Sequence, residues 1–212
     1  MDSIDQIRQN MSEVDMLLNY ASQNANDVQK YQLFNKTAVV LLSTKFEVFL
    51  EDFIDEHSRK ILNGHTNTSL PIDLKNSYVD STFAKVSDIS DRRKKIQYMR
   101  LLMKLFNSNE ETISTLSPIR PSLKFSYGKH RQKEIEKMFE RHGLKNFINS
   151  SDVQNALRMM NSLFSIRNNV IHEDASPALT HQTIQGHRDN IMHFVDLLEN
   201  DLQVNHIAYY HQ

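Results

Sequence analysis

Residues 151–172 read SDVQNALRMMNSLFSIRNNVIH, and the spacing of their apolar side chains decides the fold. Ser151-Asp152-Val153-Gln154 has the pattern of a capping box, which satisfies the orphan N–H groups of a helix's first turn. Neither glycine nor proline follows before the stretch ends. At roughly 100° per residue, Leu157, Met160, Phe164 and Ile171 share one side. Met159, Leu163, Ile166 and Val170 share the adjoining side. The reading is a helix ending at about His172, with an apolar arc wide enough for two contacts: its own core and a second surface such as a dimer partner. Arg167 falls in the middle of that arc, where an unpaired guanidinium is costly and needs a partner. Asn168 and His172, four residues apart, stack at the edge of the arc.

Working outward, Ser176-Pro177 offers an N-cap with proline at the first helical position, opening a last helix that continues to about Val204. Upstream, Asn26-Asp27-Val28-Gln29 opens a helix running to about Leu62, long enough to invite a kink. Phe34, Ala38, Leu41, Leu42, Phe49, Phe53 and Ile54 form much of its apolar side. Ile4, Ile7, Met11, Val14 and Leu18 give an earlier helix from about Ser3 to Ser22. The middle is less regular: short helices over about 73–86, 91–106 and 129–142, with Pro118 and Pro121 making residues 108–128 partly loop. Only four glycines and four prolines punctuate the chain, which favours helices over strands. The expected architecture is all-α, one domain over 1–212. It is an up-and-down bundle with core helices at about 29–62 and 152–204 and an irregular helical insertion at about 65–147.

The absence of cysteine excludes disulfides, thiolate zinc sites and a cysteine nucleophile, and it fits a reducing compartment. The opening Met-Asp-Ser-Ile-Asp lacks a signal peptide's basic start and apolar run, and the longest aliphatic run, Ala38 to Leu42, cannot span a bilayer. The expectation is a cytoplasmic protein with no membrane partner. A net charge of −1 means that any nucleic acid must be held by local basic patches.

Arginine, asparagine and histidine together suit RNA phosphodiester cleavage without metal or cofactor. Histidine near its usual pKa moves the ribose 2′-hydroxyl or leaving-group proton; arginine stabilises charge on the phosphoryl group; asparagine orients either. Two protomers meeting across this helix could divide acid and base between two histidines. Spacing alone favours a blander reading, a salt-bridged arginine and a surface histidine, because the pattern repeats at Arg188 and His193.

Arg167-Asn168-Asn169-Val170-Ile171-His172 resembles the signature of the HEPN superfamily, an arginine, a polar residue and a histidine four to six residues after the arginine, late on the penultimate core helix. The stretch from Leu41 to Phe53 resembles the early long helix of its RiboL-PSP and MAE-like branches, with an aromatic–Glu pair at Phe46-Glu47. The resemblance covers about 29–62 and 152–202. It implies a four- or five-helix bundle that dimerises with both motifs in one cleft. It also implies a metal-independent endoribonuclease of toxin–antitoxin or other defence systems, with an antitoxin or nucleotidyltransferase as partner protein. An inactive nucleotide- or protein-binding module of the same superfamily is the alternative. Glu173-Asp174 departs from the glycine common after the family's histidine. By its place, Glu47 would pair with Arg167 or His172 and raise the imidazole pKa.

Glu47, Glu51, Asp52, Asp55 and Glu56 otherwise read as a solvated acidic face, without metal-ligand spacing. Arg92, Arg93 and Lys94 in one block, and Lys129, Arg131 and Lys133 in the next, are the expected RNA-binding residues, with Phe125 and Tyr127 available for stacking. Tail histidines lack metal-pairing spacing, and Tyr209-Tyr210 reads as a frayed end.

Overall fold

With no glycine or proline between Val28 and Asn63, nothing interrupts the second helix. The computed structural model describes residues 1–121, 132–172 (backbone alone at His172) and 179–210. In it α1 spans Asp2–Gln23 and α2 spans Val28–Gly64 without a break. The cap of α2 is Asp27, one residue after the expected Asn26; its carboxylate accepts from the Lys30 N–H at 3.1 Å. The insertion holds α3 (Ile72–Asp88), α4 (Arg92–Lys104), a 3-10 segment (Ser114–Ile119), α5 (Gln132–Arg141) and α6 (Lys145–Ile148). Then come α7 (Ser151–His172), α8 (His181–Val204) and α9 (His206–Tyr210). The chain is all-α: among the described residues the only β feature is an isolated bridge between Thr66 and Thr112. No described helix is long and apolar enough to cross a membrane.

Contacts fix the directions of the helices. Tyr31 meets His181, Phe46 meets Phe194 and His57 meets Tyr210, so α2 and α8–α9 run parallel. Ser3 meets Glu56 and Glu13 meets Lys45, so α1 runs against α2. α8 packs along α7, and Asn190 of α8 donates to the Ala156 carbonyl of α7 at 2.9 Å. The shared core is aromatic at its centre, where Phe46, Phe53, Phe139 and Phe194 are fully buried. Ser176 and Pro177 lie outside the described residues. The last long helix is capped instead by Thr180, whose hydroxyl accepts from the Thr183 N–H at 3.1 Å.

Two expectations are overturned. Tyr209-Tyr210 is not frayed: α9 docks on the end of α2, with Tyr210 buried and its hydroxyl 2.6 Å from His57 Nδ1. Gly64 makes this approach feasible, since a Cβ there would lie 2.0 Å from the Tyr210 carbonyl oxygen. Nor are Asp55 and Glu56 merely solvated. Asp55 pairs with Arg59 and, at 2.7 Å, with Arg120 of the insertion, while Glu56 accepts from Ser3 at 2.8 Å and pairs with Lys60.

Candidate active site

The core side of α7 is set by Ala156, Met160, Leu163 and Phe164, all buried. Arg167 follows Leu163 by four residues and Phe164 by three, so its side chain starts from the core-facing line. It is half-buried, and its Nε is buried without a hydrogen-bond partner among the described residues. Its Nη1 donates to Asn168 Oδ1 at 3.1 Å. Asn168 is itself half-buried.

Glu47 comes to the same place from α2, beside the stacked Phe46 and Phe164 rings, whose centroids are 6.3 Å apart. Burial pushes the Glu47 carboxyl above its ordinary pKa; the nearby Arg167 charge pulls it down, and Glu51 adds to the rise. Arg167 therefore meets an acidic neighbour and an amide. His172 ends α7 one turn beyond Asn168, and its side chain lies outside the described residues, as do Glu173 and Asp174.

The expected RNA-binding residues divide into two groups. Lys129 and Arg131, with Phe125 and Tyr127, lie outside the described residues. Lys133 is exposed near the start of α5, and that start is tied to α7: the Gln132 N–H donates to Asn161 Oδ1, and Asn161 Nδ2 donates to Gln132 Oε1, each at 3.1 Å. Asn161 precedes Arg167 by six residues, about 9 Å of helix rise. Arg92, Arg93 and Lys94 are exposed at the start of α4, which packs on α3 and the 3-10 segment rather than beside Arg167.

The repeated pattern on α8 has a structural use. Arg188 pairs with Asp15 at 3.0 Å and Asp189 at 3.2 Å, and His193 points to solvent. Arg120, by contrast, is mostly buried against Asp55. Nothing in its local sequence marks it, because its partner lies 65 residues away (120 − 55). Among the described residues no three His, Cys, Asp or Glu side chains form a cluster able to hold a metal.

No curated protein and no solved structure matches the chain significantly. The family model described as RiboL-PSP-HEPN matches residues 5–203, from α1 through nearly all of α8, and decides between the two branches that the sequence resembles. The chain belongs to the RiboL-PSP-HEPN family, an RNA-related group of helical modules within a superfamily whose members are often ribonucleases.

Proposed function

We propose that this protein is a metal-independent endoribonuclease of a toxin–antitoxin or related defence system, acting as a homodimer through Arg167, Asn168 and His172. The observation that carries this reading is the convergence of Glu47, Arg167 and Asn168 at the end of α7, directly ahead of His172. A guanidinium rooted among core side chains is held in place before substrate arrives, which is what stabilising a transition-state charge requires.

In the proposed reaction one His172 imidazole takes the ribose 2′-hydroxyl proton as the 2′-oxygen attacks the adjacent phosphorus. The P–O5′ bond breaks, and the 5′-oxygen takes a proton from the second protomer's His172, which enters the reaction as imidazolium and leaves it neutral. The products are a 2′,3′-cyclic phosphate and a 5′-hydroxyl. Arg167 balances the phosphoryl oxygens' charge, Asn168 orients the guanidinium through its Oδ1, and Glu47 positions Arg167 and raises the imidazole pKa. Lys129, Arg131 and Lys133, with Arg92, Arg93 and Lys94, hold the RNA backbone.

A dimer is supported by the apolar surface around the site: Met159 and Ile171 of α7 and Val48 of α2 are exposed, and Ile166 and Val170 are half-buried. The antitoxin or nucleotidyltransferase partner follows from the same reading. The alternative, an inactive nucleotide- or protein-binding module, is favoured by the acidic neighbour of Arg167, which gives that arginine a purely structural use.

The test is cleavage of a defined RNA by the purified protein. Arg167→Ala and His172→Ala should each reduce the rate by about 10²–10⁴-fold, with helical content by circular dichroism unchanged. RNA left intact by a well-formed wild-type dimer would favour the binding module instead.

A further inference from the structure

The sequence of α4, RRKKIQYMRLLMK, has six cations and no acid in 13 residues. Its inner side packs on α3 and the 3-10 segment, with Leu102 and the following Leu105 buried. On the outside, Ile96, Met99, Met103 and, in the closing turn, Phe106 recur at helical spacing and face solvent; Met103 is 71% and Phe106 56% exposed. By helix geometry these four lie within roughly 80° of arc. Arg93, Arg100 and Lys104 form a second exposed strip, roughly 100° round from the first. None of these three is in an ion pair among the described residues. Phe83, on the packed neighbour α3, is 57% exposed.

An apolar strip of this kind marks a contact surface. RNA would account for the cations and for the rings of Phe106 and Phe83 but not for Ile96, Met99 and Met103, which offer no ring on which a base can stack. A bilayer surface suits an apolar strip with cations on both flanks; past the first turn of α4 the exposed cations stand on one side. An apolar strip running beside a basic one is the complement of an apolar strip running beside an acidic one. Methionine, flexible and polarizable, is common on surfaces that receive such helices.

We propose that the outer face of α4 docks an amphipathic helix of a partner protein, about three to four turns long, whose apolar strip covers Ile96, Met99, Met103 and Phe106. Its carboxylates meet Arg93, Arg100 and Lys104. This surface is independent of the chemistry at Arg167. An occupant would also cover Arg93, which the nuclease reading assigns to RNA.

The probe is a fluorescein-labelled synthetic peptide of about eighteen residues, with leucine at heptad positions a and d and glutamate at b and e, on one flank of the apolar strip, titrated with the full chain by anisotropy. Saturable binding is expected. It should weaken at least about tenfold with Met99→Ser plus Met103→Ser, with Arg93→Glu plus Arg100→Glu, and with a scrambled peptide of identical composition. All four substituted side chains are exposed, and circular dichroism checks that each variant is folded. No binding of the striped peptide, or equal binding of the scrambled one, would overturn the proposal. So would Met99- and Met103-dependent uptake by phosphatidylglycerol vesicles that is tighter than peptide binding, which would give the face to a membrane.

Discussion

His57 and His142 are fixed as neutral rings by their hydrogen bonds. Nδ1–H of His142 donates to the Met138 carbonyl at 2.6 Å. Nε2–H of His57 donates to the His142 carbonyl at 3.1 Å, leaving its Nδ1 to accept from the Tyr210 hydroxyl at 2.6 Å. Burial, opposing the charged form, holds His57 down to about 3 and His142 down to about 4. Unfolded histidine titrates near 6.5, so between that value and the folded ones the unfolded chain binds more protons. The stabilisation is therefore fully present above about pH 6.5 and is lost as pH falls toward the folded values. Urea unfolding at pH 7 and pH 5 should differ by about 2 kcal/mol per histidine, and His57→Phe should shrink that difference. Tyr210→Phe removes the donor to Nδ1 and should cost about 1–3 kcal/mol at pH 7. The other residue-scale test is Glu47→Gln. If Glu47 raises the imidazole pKa, the histidine limb of the pH–rate profile moves to lower pH in this variant; an unmoved limb would leave Glu47 a purely structural neighbour of Arg167.

Elements differ in how far their local sequence reveals them. The two strongest, α2 and α7, have long apolar periods and no internal breakers, and both were legible to within a residue or two at their ends. The insertion was not, because distant partners hold its short pieces. Asn67 is the clearest case. Buried in the turn after α2, its Nδ2 donates to the carbonyls of Lys104, Asn107 and Asn109, and its Oδ1 accepts from the Glu111 N–H at 2.7 Å. One side chain thus closes the end of α4 and the loop beyond it, and only the fold reveals this. Asn67→Ala leaves those carbonyls and one N–H unmet, and should cost about 2–3 kcal/mol in chemical unfolding. A loss below half a kilocalorie, on the order of an ordinary surface substitution, would show that water replaces the amide.

At the scale of the molecule, the bundle separates two ends. The Asn35 side chain donates to the Leu179 carbonyl at 3.1 Å, so Leu179, just ahead of α8, lies against the first part of α2, while the insertion departs from α2's last turn. Of the basic segments, the start of α5 reaches back toward Arg167, and α4 stays with the insertion. The sequence marked Arg167, Asn168 and Glu47 as neighbours through helix phase and family resemblance. It could not separate a phosphate-holding cation from a structural one such as Arg120, because that depends on contacts across the fold. The apolar surface beside Arg167 gives a further test. Met159→Glu with Ile171→Glu should convert the proposed dimer to monomers in sedimentation velocity and abolish cleavage, since each site then has one copy of His172 for two proton transfers. The central claim, that Arg167 and His172 cleave RNA through the ribose 2′-hydroxyl, is tested most directly by mass spectrometry of product ends from a defined RNA in the presence of chelator. The expected result is 2′,3′-cyclic phosphate and 5′-hydroxyl ends from the wild-type protein and none from the Arg167→Ala, His172→Ala double variant. Ends bearing 5′-phosphate, or undiminished cleavage by the double variant, would contradict it.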